Sequence, residues 1–238
     1  MATIRGGRRI FSPAAALIAL IAAGDANSQV DEDQLGGWYA YSLKRSFSDS
    51  RWGLHFDAAY RSFDVADDLQ QKQLRAGLTL EPESGNVVWT FGYLRGAAGE
   101  FGESNEKTRE SRLYQEAVVS QTAGTRVFLA HRFRFEQRWV DGQGFHTRFR
   151  YGLFADIPLN GTDLGAGAFY LHFYNEILLA AGRDRGKGNG VGAFDSDRLF
   201  AGVGYSFSDT LKLRGGYMYR YTDSVDKGQL LISLSQSL

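Results

Sequence analysis

From Thr108 to Tyr151 the chain alternates apolar and charged residues with a period of two. Phe133 and Phe135 fall on one parity, and Arg132, Arg134, Glu136 and Arg138 fall on the other. Successive side chains of a β-strand point to opposite faces. Any strand made from this stretch therefore has one greasy face and one densely ionic face. A soluble sheet turns the ionic face to water. A membrane barrel turns the greasy face to lipid and the ionic face to a wet lumen.

The same alternation recurs along the chain in eleven segments separated by turn signals. Four precede the central stretch, at about 37–47, 51–63, 70–80 and 87–94. Three lie within it. Four follow, at about 168–179, 198–207, 211–221 and 229–238. Most run well beyond the roughly five or six residues of a soluble strand and suit the roughly 9–11 that cross a bilayer. The 29 Gly and 14% aromatics, with only 3 Pro, fit a sheet protein. Trp52, Tyr60, Tyr93, Trp139, Tyr151, Tyr219 and Tyr221 sit toward segment ends, as interfacial girdles do. Connections after odd segments read as short, whereas 95–107 and 180–194 read as long loops after even ones. Short turns on one rim and long loops on the other is the outer-membrane arrangement. Bacterial single-chain barrels have even strand numbers, so eleven segments lead to an expectation of twelve strands, with ten as the alternative.

Residues 1–26 read as an export signal. Arg5, Arg8 and Arg9 precede the apolar run Ala14–Ala23, and Gly24-Asp25-Ala26 offers a cleavage site. The run is too short for a spanning helix. Residues 27–238 then form a single barrel domain. The whole chain carries 27 basic and 27 acidic residues; a leader of charge +2 leaves the remainder near −2. That balance argues against nucleic acid as a partner. With no cysteine, disulfides and thiolate metal sites are excluded.

Arginine dominates the polar parity. Adjacent strands place Glu110, Arg112 and Glu116 beside Arg132, Arg134, Glu136 and Arg138, and these beside Arg148 and Arg150, with Glu176 and Arg198 on later strands. The planar guanidinium fork makes bidentate bonds to carboxylates. This set reads either as an interlocked ion-pair network filling a narrow lumen or as a cation-rich constriction selecting an anionic solute. The four histidines, His55, His131, His146 and His172, have no metal-ligand spacing. No phosphate-binding loop or nucleophile elbow appears. The reading is therefore of a protein with no catalytic site, metal or cofactor. An alternative is a lipid-facing, phospholipase-like enzyme using His131, Ser111 and Asn175, which share the apolar parity. Another is a soluble periplasmic ligand-binding barrel.

Five stretches carry a resemblance. They are Glu110-x-Arg112-x-Tyr-Gln-Glu116, His131-Arg-x-Arg-x-Glu-Gln-Arg138, Arg148-Phe-Arg-Tyr151, Asn175-Glu176 and Asp197-Arg198-Leu-Phe-Ala-Gly-x-Gly-Tyr205. Together they resemble the bacterial family called domain of unknown function 2490, over most of the chain from about Trp38 onward. The resemblance implies an exported, outer-membrane-type β-barrel and no particular activity. The final residue, Leu238, departs from the aromatic with which outer-membrane proteins usually end. The expected architecture is thus an all-β, antiparallel up-and-down transmembrane barrel in the outer membrane of a Gram-negative bacterium. Its expected partners are membrane lipid, the barrel-assembly machinery during biogenesis, and an unidentified small solute.

Overall fold

The computed structural model describes residues 34–83, 85–101, 106–181, 194–222 and 226–238. The export signal read at 1–26 lies outside the described residues. Among those residues the chain is all β, with eleven strands and no helix. They are β1 (Gly36–Ser46), β2 (Trp52–Ser62), β3 (Leu69–Leu80), β4 (Val87–Gly99), β5 (Lys107–Ala123), β6 (Val127–Val140), β7 (Gly144–Pro158), β8 (Phe169–Ala181), β9 (Phe194–Ser206), β10 (Leu211–Thr222) and β11 (Lys227–Ser237). Each strand pairs antiparallel with its sequence neighbour. The sheet closes where β1 pairs with β11 in parallel, from Gly36 opposite Gln229 to Lys44 opposite Ser237.

This closure corrects the expected strand number. The eleven alternating segments are the eleven strands, and neither a twelfth nor a reduction to ten is needed. An antiparallel meander with an odd number of strands brings its first and last strands together pointing the same way. A parallel ladder satisfies both edges, so no unpaired edge remains. The pairing continues past the last strand, with Leu238 N–H donating to Lys44 O at 2.8 Å and Ser46 N–H to Leu238 O at 3.1 Å.

Two rims result, one holding Gly36 and the other Leu238. The connections do not sort by length as cleanly as the sequence suggests. At the Gly36 rim the β6–β7 connection spans only 141–143, while at the Leu238 rim the β7–β8 connection spans 159–168. The latter is held by side chains: Asn160 Oδ1 accepts from Phe169 N–H at 2.7 Å, and Asp209 Oδ1 accepts from Ala166 N–H at 2.9 Å. The loop expected from Arg95 begins only after Gly99, because Arg95–Gly99 continues β4 against β5.

The apolar parity faces outward around the cylinder. Phe133, Phe135 and Phe149 are each about 40% exposed, and Leu74, Leu78, Phe91, Leu199, Val203 and Tyr217 are exposed as well. The buried set is mostly polar or charged, the reverse of a soluble core. A small apolar cluster also lies inside: Phe200, Met218 and Leu231, with Trp38 and Tyr174 packed on it. Tyr174 and Phe200 stack with centroids 5.1 Å apart. Two interior tyrosines need glycine beside them: a Cβ on Gly92 would overlap the Tyr114 ring, and one on Gly204 would overlap Tyr170.

Candidate functional site

All eleven candidate residues come from five consecutive strands, β5 to β9, and point into the cylinder. Nine are buried, among them Glu136 at 1% exposure and Arg134 and Glu176 at 2%; Arg132 and Arg138 are partly exposed. Alternation along each strand sets their direction, and cross-strand register sets their partners. Glu116 lies opposite Arg134, Glu136 opposite Arg148, and Glu176 opposite Arg198.

Glu136 is the hub. Arg148 Nε donates to it at 2.7 Å and Arg150 Nη1 at 3.1 Å, while Arg112 and Arg134 nitrogens lie 3.6 and 3.9 Å away. Glu176 accepts from Arg150 Nη2 at 2.6 Å, Arg132 Nη2 at 2.5 Å and Arg198 Nη1 at 2.9 Å. Glu116 accepts from Arg134 Nε at 2.7 Å and has Arg132 Nε at 3.9 Å. These contacts close a six-membered ring of alternating charge: Glu136, Arg150, Glu176, Arg132, Glu116, Arg134 and back to Glu136. Arg112 ties Glu110 to the ring, and Glu110 also accepts from Arg138.

Register puts some arginines directly opposite each other, which is unfavourable for bare like charges. Arg112 faces Arg138, and Arg134 faces Arg150. In both cases one glutamate lies against both members: Glu110 in the first pair and Glu136 in the second. Each facing pair is thus bridged by one shared carboxylate, and the candidate set as a whole keeps an excess of cations, seven arginines against four glutamates.

Two side chains outside the candidate set complete it. Asp195 accepts from Arg148 Nη1 at 3.2 Å. Sequence alternation could not find it, because a β-bulge places it: Leu178 pairs with Ser196 and Leu179 with Phe194, leaving Asp195 as the extra residue. Trp38 of β1 lies between two guanidinium groups, with Arg61 Cζ 3.6 Å and Arg198 Cζ 5.3 Å from its ring centroid. That contact carries the charged wall across the bore.

Two cavities flank the network. One of about 510 Å³ opens toward the Leu238 rim and mixes cations with the carboxylates of Asp57, Glu116, Asp156, Glu176 and Asp209. Here Arg75 Nη2 pairs with Asp57 at 2.7 Å, and His172 Nδ1 lies 2.5 Å from Asp156. The other, about 370 Å³, opens toward the Gly36 rim. Among the described residues eight cationic side chains line it, with Asp195 as the one lining carboxylate.

The residues of the enzyme alternative are not assembled. His131 pairs with Val119 of β5, eight positions along from Ser111 (119 − 111), or roughly 26 Å at about 3.3 Å per residue. Ser111 Oγ accepts from Arg95 at 2.5 Å and from Tyr93 at 3.0 Å, and His131 Nδ1 lies 3.0 Å from Tyr151 Oη. Asn175 shares a row with His131 across Leu153, but its amide donates to Asp197 at 2.6 Å. Among the described residues no group of three or more His, Asp or Glu could hold a metal ion.

The sequence pattern of the family described as "Protein of unknown function (DUF2490)" matches residues 35–230, from just before β1 into β11. The chain belongs to this family. No curated protein and no solved structure matches it. For this DUF2490 chain, then, a barrel with buried charged residues is established, and function has to be argued from the site.

Proposed function

We propose that this DUF2490 protein is a non-catalytic outer-membrane β-barrel whose bore is divided by the Arg/Glu network. The observation that carries the reading is the inversion of its two faces. Large apolar side chains cover the outside of a closed cylinder while arginine and glutamate fill the inside. An apolar surface of that extent is far beyond what a soluble monomer exposes. A closed barrel is also one of the two structures able to satisfy its backbone in a bilayer. Strands of eleven to seventeen residues are long enough to cross it when tilted. Lys72, Arg95 and Arg109 are exposed near the Gly36 rim, where anionic headgroups would meet them.

The partition reading rests on contact. Ring members touch one another through ion pairs, and the two cavities lie on either side of them. Cell fractionation tests the location: recovery with outer-membrane lipid is expected, and recovery in the soluble periplasm overturns it in favour of a periplasmic binding barrel. A second reading, an anion-favouring channel, is favoured by the cationic lining at the Gly36 rim. Planar-bilayer recording separates the two. The partition predicts no steady conductance from the unmodified protein and a measurable one from Arg134→Ala. A steady anion-selective current from the unmodified protein supports the channel.

A further inference from the structure

One in-register arginine pair departs from the pattern of the others. Arg198 of β9 lies directly opposite Arg220 of β10, and among the described residues no glutamate bridges them. Glu176 is held by Arg198 Nη1, Arg150 and Arg132. Arg220 makes no hydrogen bond or ion pair with a described residue, and its buried Nε has no acceptor. The Nε of Arg198, a residue 5% exposed, is also without an acceptor. A third cation, Arg61, donates among the described residues only to the neutral Gln71 Oε1, at 2.9 Å, and its Nε has no acceptor. All three line the 370 Å³ cavity at the Gly36 rim, together with Gln70, Gln71 and Thr222. Asp195, its one lining carboxylate among the described residues, is engaged by Arg148 at 3.2 Å and lies near enough to attract Arg220 as well, one carboxylate against several cations.

We propose that this cavity is a binding site for a small polyvalent oxyanion, which takes between Arg198, Arg220 and Arg61 the place that Glu110 and Glu136 take between the other facing arginines. The class follows from the donors. Guanidinium forks match phosphate and carboxylate oxygens, and no donor here is soft. Buried donors without acceptors are costly, so a site that keeps three of them gains from being filled. The volume suits a compact solute. The polar amides of Gln70 and Gln71 could meet hydroxyl or additional oxygen groups on it. Because the cavity lies within the cylinder, acyl chains could not accompany the anion, and the ligand is a soluble one. The proposal rests on the interior being wet and reachable from the Gly36 rim, not on where the barrel resides.

Isothermal titration of the refolded full chain in zwitterionic detergent at low ionic strength, with inorganic pyrophosphate as probe, tests it. Saturable one-to-one binding is expected. Arg220→Gln and Arg61→Gln should each weaken it about tenfold or more, as loss of a charged hydrogen bond does. Lys212→Gln, in the other cavity, should leave it unchanged. Stability gives a second readout that a structural role would not produce. In anion-free buffer Arg220→Gln should have a urea midpoint equal to or above that of the unmodified protein, because it removes a cation that faces Arg198 and has no ion pair among the described residues. Pyrophosphate should raise the midpoint of the unmodified protein and not that of Arg220→Gln.

No saturable binding at millimolar pyrophosphate would overturn the proposal, as would affinity unchanged in both variants. A lowered midpoint for Arg220→Gln in anion-free buffer would also overturn it, since the arginine would then have a partner within the chain. So would binding that appears only after Asp31, Glu32 and Asp33, the carboxylates ahead of Gly36 in the sequence, are changed to amides. A periplasmic barrel that binds pyrophosphate would refute the membrane reading and leave this one standing, and an outer-membrane barrel that does not bind would do the reverse.

Discussion

The two halves of the cylinder are built on opposite plans. The wall from β5 to β8 carries long strands, up to the seventeen residues of β5, and contributes ten of the eleven arginines and glutamates of the candidate set. The wall from β10 through β11 and β1 has strands of eleven or twelve residues, and its inward positions include Gly216, Ser233, Ser235, Ala40 and Ser42. The difference is one of volume as well as charge. Long guanidinium stems need room, and the small side chains among these facing positions supply it. The charged wall is also self-sufficient: its arginines find carboxylates one strand away. The cations nearer the small wall do not. Arg61 stacks on Trp38, Arg220 has no direct ion pair among the described residues and feels only the nearby charge of Asp195, and Arg214 reaches Asp156 only at 3.6 Å. Structural charge is therefore concentrated on one side, and charge available to a ligand on the other.

The contrast can be broken most severely at its hub. Glu136→Gln leaves four arginines around a neutral amide and should cost about 3–5 kcal/mol in urea unfolding of the refolded barrel. A cost below about 1 kcal/mol would mean that the arginines are solvated rather than held. Next comes the outer face. In lipid, Phe133→Arg should cost about 2–4 kcal/mol near the midplane, whereas Thr125→Arg in the β5–β6 turn should be tolerated. Equal tolerance at the two positions would argue against an acyl environment. Packing at the edge of the charged wall is tested by Gly92→Ala on the neighbouring strand β4, which pushes a methyl group into the Tyr114 ring and should cost about 1–3 kcal/mol. The smallest effect is expected on the small wall itself. Ser233→Ala should change stability by less than about 0.5 kcal/mol, and a larger loss would show that this wall does more than provide space.

Much of this was legible in the sequence because a strand's facing is a local property. Phe133 and Arg134 report their sides through their parity alone, and Asp49 and Gly124 mark turns that the backbone makes at positive φ. What failed needs information that parity does not hold. The end of β4, Arg95-Gly-Ala-Ala-Gly99, has side chains too small to alternate, so it reads as loop although β5 pairs with all of it. Asp195 points inward because a bulge resets the count. Phe200 and Met218 share the polar parity, and only the closed sheet brings them to Leu231 and Trp38. The partners of each arginine follow from register between strands, so the sequence could gather the eleven candidates but not tell a bridged pair from an unbridged one.

The β1–β11 join has a consequence for how such a cylinder can be made and unmade. Every other strand pair can form from neighbours along the chain through a connection of modest length. The last join cannot: its two rails run the same way, so no hairpin can link them, and Gly36 must find Gln229 across nearly the whole sequence. Closure must therefore come after the meander is in place, and long-range pairing of this kind is slow. Slanted parallel bonds also make it a slightly weaker ladder than its neighbours. Hydrogen exchange should find this seam the first to part, a lateral door whose hinge is the rest of the sheet.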